Sequence, residues 1–176
     1  EHLKVDDSDR YICVLPMFHA FAETVCMLMP MFLGAEIVIV DRFLPEKVLK
    51  TIQEKNVTFF AGVPTMYSAL LNVKNRDEFD LSDLNICISG GAAMPQQTME
   101  DFEKTFNVKI LEGNGPTETS PVAYVNPVDG ERKSGSVGLP IPETKVKIID
   151  EDDNELPTGE IGEIAVQGEH VMKGYF

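Results

Sequence analysis

Leu84-Asn-Ile-Cys-Ile-Ser-Gly-Gly-Ala-Ala-Met-Pro95, continued by Gln96 to Phe106 and Val108-Lys-Ile-Leu111, is the stretch that decides the fold. Leu84 to Ser89 is a short apolar run closed by Gly90 and Gly91, the pattern of a buried strand. Pro95 to Phe106 has the length of a helix, and Val108 to Leu111 is a second short apolar run. Strand, helix and strand in that order describe a βαβ unit and a parallel sheet.

The same alternation runs upstream. Tyr11 to Leu15 reads as a buried strand ended by Pro16. Phe18, Phe21, Ala22, Val25, Met29 and Phe32 then recur at helical spacing, up to a stop at Gly34. Glu36 to Val40 is rich in β-branched residues and reads as a strand. Leu44 to Lys55 is amphipathic, with Leu44, Val48, Leu49 and Ile52 on one side and Glu46 positioned to pair with Lys50. Val57 to Ala61 is another strand, and Pro64 to Leu71 a helix with proline in its first turn. Asn75 to Asp83 is a charged surface loop.

Downstream of Tyr124 the character changes. Val128 to Gly135 is polar and turn-rich, so residues 1–127 are expected to form an α/β subdomain and 128–176 an incomplete β-rich one. Thr144 to Ile149 alternates apolar and polar, and Ile161 to Gln167 supplies a further strand. Between them, Asp150 to Glu155 is an acidic turn without the ligand spacing of a calcium loop. The fold class is therefore α/β: a mainly parallel βαβ sheet layered with helices, followed by part of a small antiparallel, barrel-like subdomain.

Bulk composition narrows the function. The chain has 176 residues, 43% of them hydrophobic, enough for a substantial core. Its formal charge of −14 argues against a nucleic-acid partner. Cys13, Cys26 and Cys87 lie in apolar surroundings without Cys-x-x-Cys spacing, and so are expected to be buried, reduced thiols rather than a zinc or redox site. Phe18 to Leu33 is too short and too interrupted by Pro30 for a membrane span. A cytoplasmic location is expected, with peripheral membrane association left open. Glu1 to Arg10 reads as an acidic lead-in.

The chemistry concentrates in Ile110-Leu-Glu-Gly-Asn-Gly-Pro-Thr-Glu-Thr-Ser-Pro121. Gly113 and Gly115 are expected to turn the chain sharply after a strand through positive φ, and Pro116 fixes φ. Thr117 and Glu118 then stand at the mouth of the strand, where open parallel sheets bind ligands. A hydroxyl there bonds a phosphate oxygen, and a carboxylate holds Mg²⁺. A plain polar turn is the competing reading. Gly90, Gly91 and Ala92 are small enough for a flat ligand to lie against the backbone, or for close strand–helix packing. His19 starts a helix, where an imidazole either approaches a substrate carboxylate or caps the helix locally. Glu112 reaches the substrate entry or solvates the strand end. Gly168-Glu-His170 reads as surface.

Glu112 to Pro121 resembles the adenylate-binding motif of the acyl-adenylate-forming enzymes, which include acyl-CoA synthetases, luciferases and peptide-synthetase adenylation domains. Leu15-Pro-Met-Phe-His19, Ser89-Gly-Gly-Ala-Ala-Met-Pro95, and Gly159-Glu-Ile-Gly-Glu-Ile-Ala-Val-Gln-Gly168 running to Gly174-Tyr175 agree with that family in order and spacing. The Glu-Gly-x-Gly-x-Thr-Glu-Thr-Ser-Pro form of Glu112 to Pro121 is most similar to long-chain fatty acyl-CoA synthetases. The resemblance implies ATP and AMP, Mg²⁺, and coenzyme A as co-substrate. It implies Thr117 on the phosphate, Glu118 on the metal, and His19 beside the reacting carboxylate. It also implies that Gly90, Gly91, Ala92, Glu112, Gly113, Asn114 and Gly115 border the nucleotide. Asn114 departs from the pattern, since most relatives place an aromatic ring there to stack on adenine. Gly62-Val-Pro-Thr65 and Tyr67 resemble the lining of the acyl tunnel, although Met66 and Tyr67 suit a core equally well.

By the same resemblance the chain is a central piece of a larger N-terminal domain. The phosphate loop would lie upstream; the ribose-binding aspartate and the C-terminal lysine domain would lie downstream. The expected activity is fatty acid–CoA ligation, with this polypeptide inactive alone and binding ATP weakly at best. An amino- or aryl-acid adenylation domain and a non-catalytic nucleotide-binding module are the alternatives.

Overall fold

The computed structural model describes residues 3–133 and 135–176. The first two residues of the acidic lead-in, and Ser134 within the expected turn-rich boundary, lie outside the described residues.

The elements in chain order are β1 (Arg10–Cys13), α1 (Ala20–Ala22), a π-helical segment (Glu23–Leu28), α2 (Met29–Leu33), β2 (Glu36–Ile39), α3 (Pro45–Glu54), β3 (Phe59–Gly62), α4 (Pro64–Leu71), β4 (Ile86–Ser89), α5 (Gln96–Phe106), β5 (Ile110–Asn114), β6 (Tyr124–Val125), β7 (Leu139–Pro140), β8 (Lys145–Ile149) and β9 (Glu163–Gln167). Seven strands form one sheet in the order β2-β1-β3-β4-β5-β6-β7. β2, β1, β3, β4 and β5 pair in parallel, whereas β5-β6 and β6-β7 are antiparallel. β8 and β9 make a separate antiparallel pair, with Lys145 opposite Gln167 and Ile149 opposite Glu163. This is the expected α/β architecture.

Alternation along each parallel strand splits the core between the two faces of the sheet. Ile12, Phe60, Cys87 and Ile110 point one way, onto Val48, Leu49 and Ile52 of α3, Tyr67 and Leu70 of α4, and Phe102 and Phe106 of α5. Their neighbours Tyr11, Phe59, Ile86, Ile88 and Leu111 point the other way, onto Val25 and Cys26 of the π segment and Val125 of β6. Both faces are covered, which is why the parallel strands are apolar throughout rather than alternating. The three cysteines are buried free thiols, as expected.

The long helix predicted between Phe18 and Phe32 departs from expectation. Its apolar face is Ala22, Val25 and Cys26, while Phe18 and Phe32 are each 91% exposed. Its middle is π-helical, with the Met29 N–H donating to the Thr24 carbonyl. Pro30 supplies the reason. Its ring would strike the carbonyl of Cys26 in an α-helix, and it lacks an N–H. Widening to i→i−5 bonds before the proline removes that clash. Gly34 at φ 77° ends the helix in the left-handed region. On α3 the expected Glu46–Lys50 pair is replaced. Lys50 instead meets Glu54 at 3.6 Å, and Lys47 meets Asp41 at 2.7 Å.

The expected turn chemistry of Gly113 and Gly115 also fails. Neither has positive φ, and β5 continues through Gly113 and Asn114 into pairing with Val125 and Tyr124. The reversal is made further on, by a 3₁₀ turn at Thr117–Thr119 and by Ser120 at φ 54°. The acidic turn is closed on itself, with the Asp150 carboxylate accepting from the Asp152 and Asn154 N–H groups at 2.9 Å each.

Tyr67 ties the core to the end of β4. It is fully buried and packs edge-on against Phe60 and Phe102, and its hydroxyl donates to the Ile88 carbonyl at 2.8 Å. Tyr67→Phe is expected to cost about 1 kcal/mol of stability in denaturant unfolding, the net value of one hydrogen bond.

Candidate active site

The carboxyl ends of β4 and β5 open on a cavity of about 260 Å³ on the face covered by the π segment. Its lining is apolar: Phe21, Val25, Met29, Ile88, Val125 and Ile141 supply most of it. His19, Gly90, Gly91, Gly113, Asn114, Gly115 and Thr117 also reach it. The structure thus gathers onto one cavity seven of the residues expected from sequence, taken from three separate stretches of chain.

Each is placed for a physical reason. His19 caps α1, its Nδ1 accepting from the Phe21 N–H at 3.2 Å. In the neutral ring this leaves the proton on Nε2. Capping and lining the cavity coexist, so the two readings of His19 are not exclusive. Gly90 follows β4, where a Cβ would meet the Phe21 ring at 3.2 Å. Gly91, at φ 79°, turns the chain away. At Gly113 a Cβ would stand 3.2 Å from the Tyr124 carbonyl oxygen, and at Gly115 only 2.7 Å from the Ala123 nitrogen. These two glycines therefore serve close backbone approach, not backbone turning.

Glu112 is not brought to this cavity. Alternation in β5 sends its side chain to the opposite face, where it is buried and accepts from the Met94 N–H at 3.2 Å. Its backbone carbonyl accepts from the Asn126 N–H at 2.9 Å. Ala92 is exposed in the loop beyond Gly91 and is not part of the lining. Met66 and Tyr67 are buried, and Met66 also lines a second, larger groove of about 710 Å³ beside Val14, Leu15 and Phe43, which shares His19, Phe21 and Gly91 with the cavity. His170 is half-buried rather than on the surface, and its carbonyl accepts from the Ser120 hydroxyl at 2.7 Å.

Glu118 stands at the rim, one residue past Thr117 and outside the lining itself. Its Oε1 accepts from the Tyr175 hydroxyl at 2.7 Å. That bond holds the Glu118 carboxyl below its ordinary value and raises the phenol of Tyr175. The carboxylate is therefore ionised at neutral pH. Tyr175 is a residue at the rim to which sequence reading assigned no role. Its motif, Gly174-Tyr175, was visible, but the partner 57 positions away was not.

Mg²⁺ commonly takes one or two protein carboxylates and completes its shell with substrate phosphates and water. Among the described residues, no three His, Cys, Asp or Glu side chains converge to form a metal cage. A single ionised carboxylate with Tyr175 on one oxygen suits a cation that arrives with a nucleotide. Among the described residues no helix is long and apolar enough to cross a membrane.

Known proteins resemble the chain in sequence and in fold. The sequence model of a family described as AMP-binding enzyme matches residues 1–176. A long-chain-fatty-acid–CoA ligase of Bacillus subtilis (strain 168) is 38% identical over 172 residues, which is 97% of this chain and 31% of that protein. ATP-bound MatB from Rhodopseudomonas palustris superposes with a TM-score of 0.91 at 32% identity, covering 99% of this chain and 34% of the other. An anthranilate CoA ligase, AuaEII, solved with anthranoyl-AMP, gives a TM-score of 0.89 at 28% identity, covering 97% of this chain and 33% of the other. The chain thus spans about a third of the length of each.

Proposed function

The chain belongs to the AMP-binding enzyme family, and from that premise we propose that it is the part of an acyl-CoA synthetase that holds the acid and one side of the nucleotide. The observation that carries this reading is an apolar cavity whose rim bears His19, Thr117 and, just outside, Glu118. The acid's apolar tail fills the cavity between the sheet and the π segment. Its carboxylate comes to the rim, where the free Nε2–H of His19 donates to one oxygen and orients it without adding a full charge. The carboxylate attacks the α-phosphorus of ATP; a phosphorus–oxygen bond forms to the acid and the bond to pyrophosphate breaks. The thiol of coenzyme A then attacks the mixed anhydride, releasing AMP.

Thr117 donates to a phosphate oxygen, and Glu118 holds the divalent cation. When bound, Mg²⁺ supplies positive charge against the phosphate oxygens. No protein nucleophile is needed, and the buried thiols of Cys26 and Cys87, both shifted upward, are unsuited to that role. Division into an α/β part, 1–127, and a β-rich part, 128–176, belongs to the same proposal.

The lining supports one class of acid over the others. No Asp or Glu faces the cavity among the described residues, so a substrate ammonium group would find no counter-charge, and an amino acid is disfavoured. A fatty acid fits the apolar walls. An aryl acid is the second reading, favoured by the likeness to a structure solved with anthranoyl-AMP. Acid-dependent ATP–pyrophosphate exchange by the full-length protein, across aliphatic, aryl and amino acids, tests all of these. Exchange with aliphatic acids is expected. Exchange only with aryl or amino acids would replace the substrate assignment, and none with any acid would favour a non-catalytic nucleotide-binding module.

Asn114 lines the cavity at the end of β5 and is exposed. An aromatic ring there would gain roughly 0.5–1.5 kcal/mol of stacking. Asn114→Tyr is therefore expected to tighten nucleotide binding up to about tenfold, measured by calorimetric titration of AMP.

A further inference from the structure

The segment after β9 folds back onto the turn that carries Glu118. The Met172 N–H donates to the Glu118 carbonyl at 2.8 Å. The Ser120 hydroxyl donates to the His170 carbonyl at 2.7 Å. These two bonds hold the backbones of the two segments together. A third bond goes further and reaches the carboxylate itself, from the Tyr175 hydroxyl to Oε1 at 2.7 Å.

We propose that Tyr175 is a positioning residue for Glu118, occupying one carboxylate oxygen so that the other is presented to the divalent cation of a metal–nucleotide complex. The proposal rests on the reading of Glu118 as the cation-holding carboxylate. A glutamate at an exposed rim has many rotamers, and a cation can use few of them. An O–H donor at 2.7 Å from an ionised oxygen makes a charge-assisted bond strong enough to select one. Carboxylates that bind metals are commonly fixed in this way by a neighbour that does not touch the metal. Tyr175 is 73% exposed, so its ring contributes little to packing. The segment is already held by the Met172 and Ser120 bonds, and the hydroxyl is therefore free to act on the carboxylate alone.

Tyr175→Phe, Glu118→Gln and the double variant, made in the full-length protein, separate the outcomes. Binding of Mn²⁺ is followed by electron paramagnetic resonance with a non-hydrolysable ATP analogue present. The Mg²⁺ dependence of pyrophosphate exchange and the melting temperature are measured in parallel. Tyr175→Phe is expected to weaken Mn²⁺ binding about tenfold and to raise the KM for Mg²⁺ by a similar factor. The KM for the acid and the melting temperature stay unchanged. In the Glu118→Gln background, Tyr175→Phe adds nothing further. If Glu118→Gln weakens Mn²⁺ binding while Tyr175→Phe leaves it within about twofold of the parent, the role of Tyr175 is overturned and the function of Glu118 stands. If Glu118→Gln itself leaves Mn²⁺ binding unchanged, the assignment of Glu118 fails and that of Tyr175 with it.

Discussion

Glu118→Gln is expected to slow acid-dependent ATP–pyrophosphate exchange by the full-length protein roughly 10²–10³-fold, with the melting temperature unchanged. The substitution keeps size and hydrogen bonding but removes the charge that would face a bound cation. Transition-state electrostatics of this kind commonly carry losses of that order when a single preorganised group is deleted. Stability is spared because Glu118 lies at the rim, where among the described residues only the exposed Tyr175 bonds to its side chain. The amide still accepts from that hydroxyl. A rate within about threefold of the parent would show that the carboxylate does not act in the chemical step.

Gly115→Ala is expected to lower stability by about 3 kcal/mol and to abolish exchange. The obstacle is backbone, not side chain. A Cβ at 115 would lie 2.6 Å from the Pro121 carbonyl carbon and 2.7 Å from the Ala123 nitrogen. That nitrogen donates to the Asn114 carbonyl at 2.9 Å and closes the loop that carries Thr117 and Glu118. Making room opens this bond and moves both residues. Gly113→Ala provides the contrast. Its nearest obstacle stands at 3.2 Å, so a shift of a few tenths of an ångström accommodates it. Denaturant unfolding of the two variants should rank Gly115→Ala well below Gly113→Ala; equal stabilities would show that the loop yields freely.

Strands and helices with strong patterns were legible in the sequence. Pro64 to Leu71 was read with the bounds the structure shows, and Glu36 to Val40 within one residue. Period and turn residues are local, so local reading found them. The π segment was not legible. Phe18 to Phe32 has helical spacing, and only the steric demand of Pro30 on Cys26 changes the winding. Gly113 and Gly115 are needed for a reason other than the positive φ expected of them. Their need is set by Tyr124, Pro121 and Ala123, which approach only once β6 has folded back.

The same holds for the site. His19, Gly90, Gly91, Gly113, Asn114, Gly115 and Thr117 come from three stretches that follow strand ends, and a parallel sheet aligns such ends. Glu112 belongs to one of those stretches, yet it is one register step from Gly113, and the pleat sends it to the other face. The contact between Tyr175 and Glu118 eluded prediction because no pattern within either segment identifies the other as its partner.

The most direct test is a crystal of the full-length protein soaked with Mn²⁺ and a non-hydrolysable ATP analogue, with the cation located by its anomalous signal. The account predicts a peak about 2.1 Å from the Glu118 oxygen that Tyr175 leaves open, bridging to the nucleotide phosphates. A cation bound elsewhere, with the Glu118 side chain turned away from the nucleotide, would contradict it.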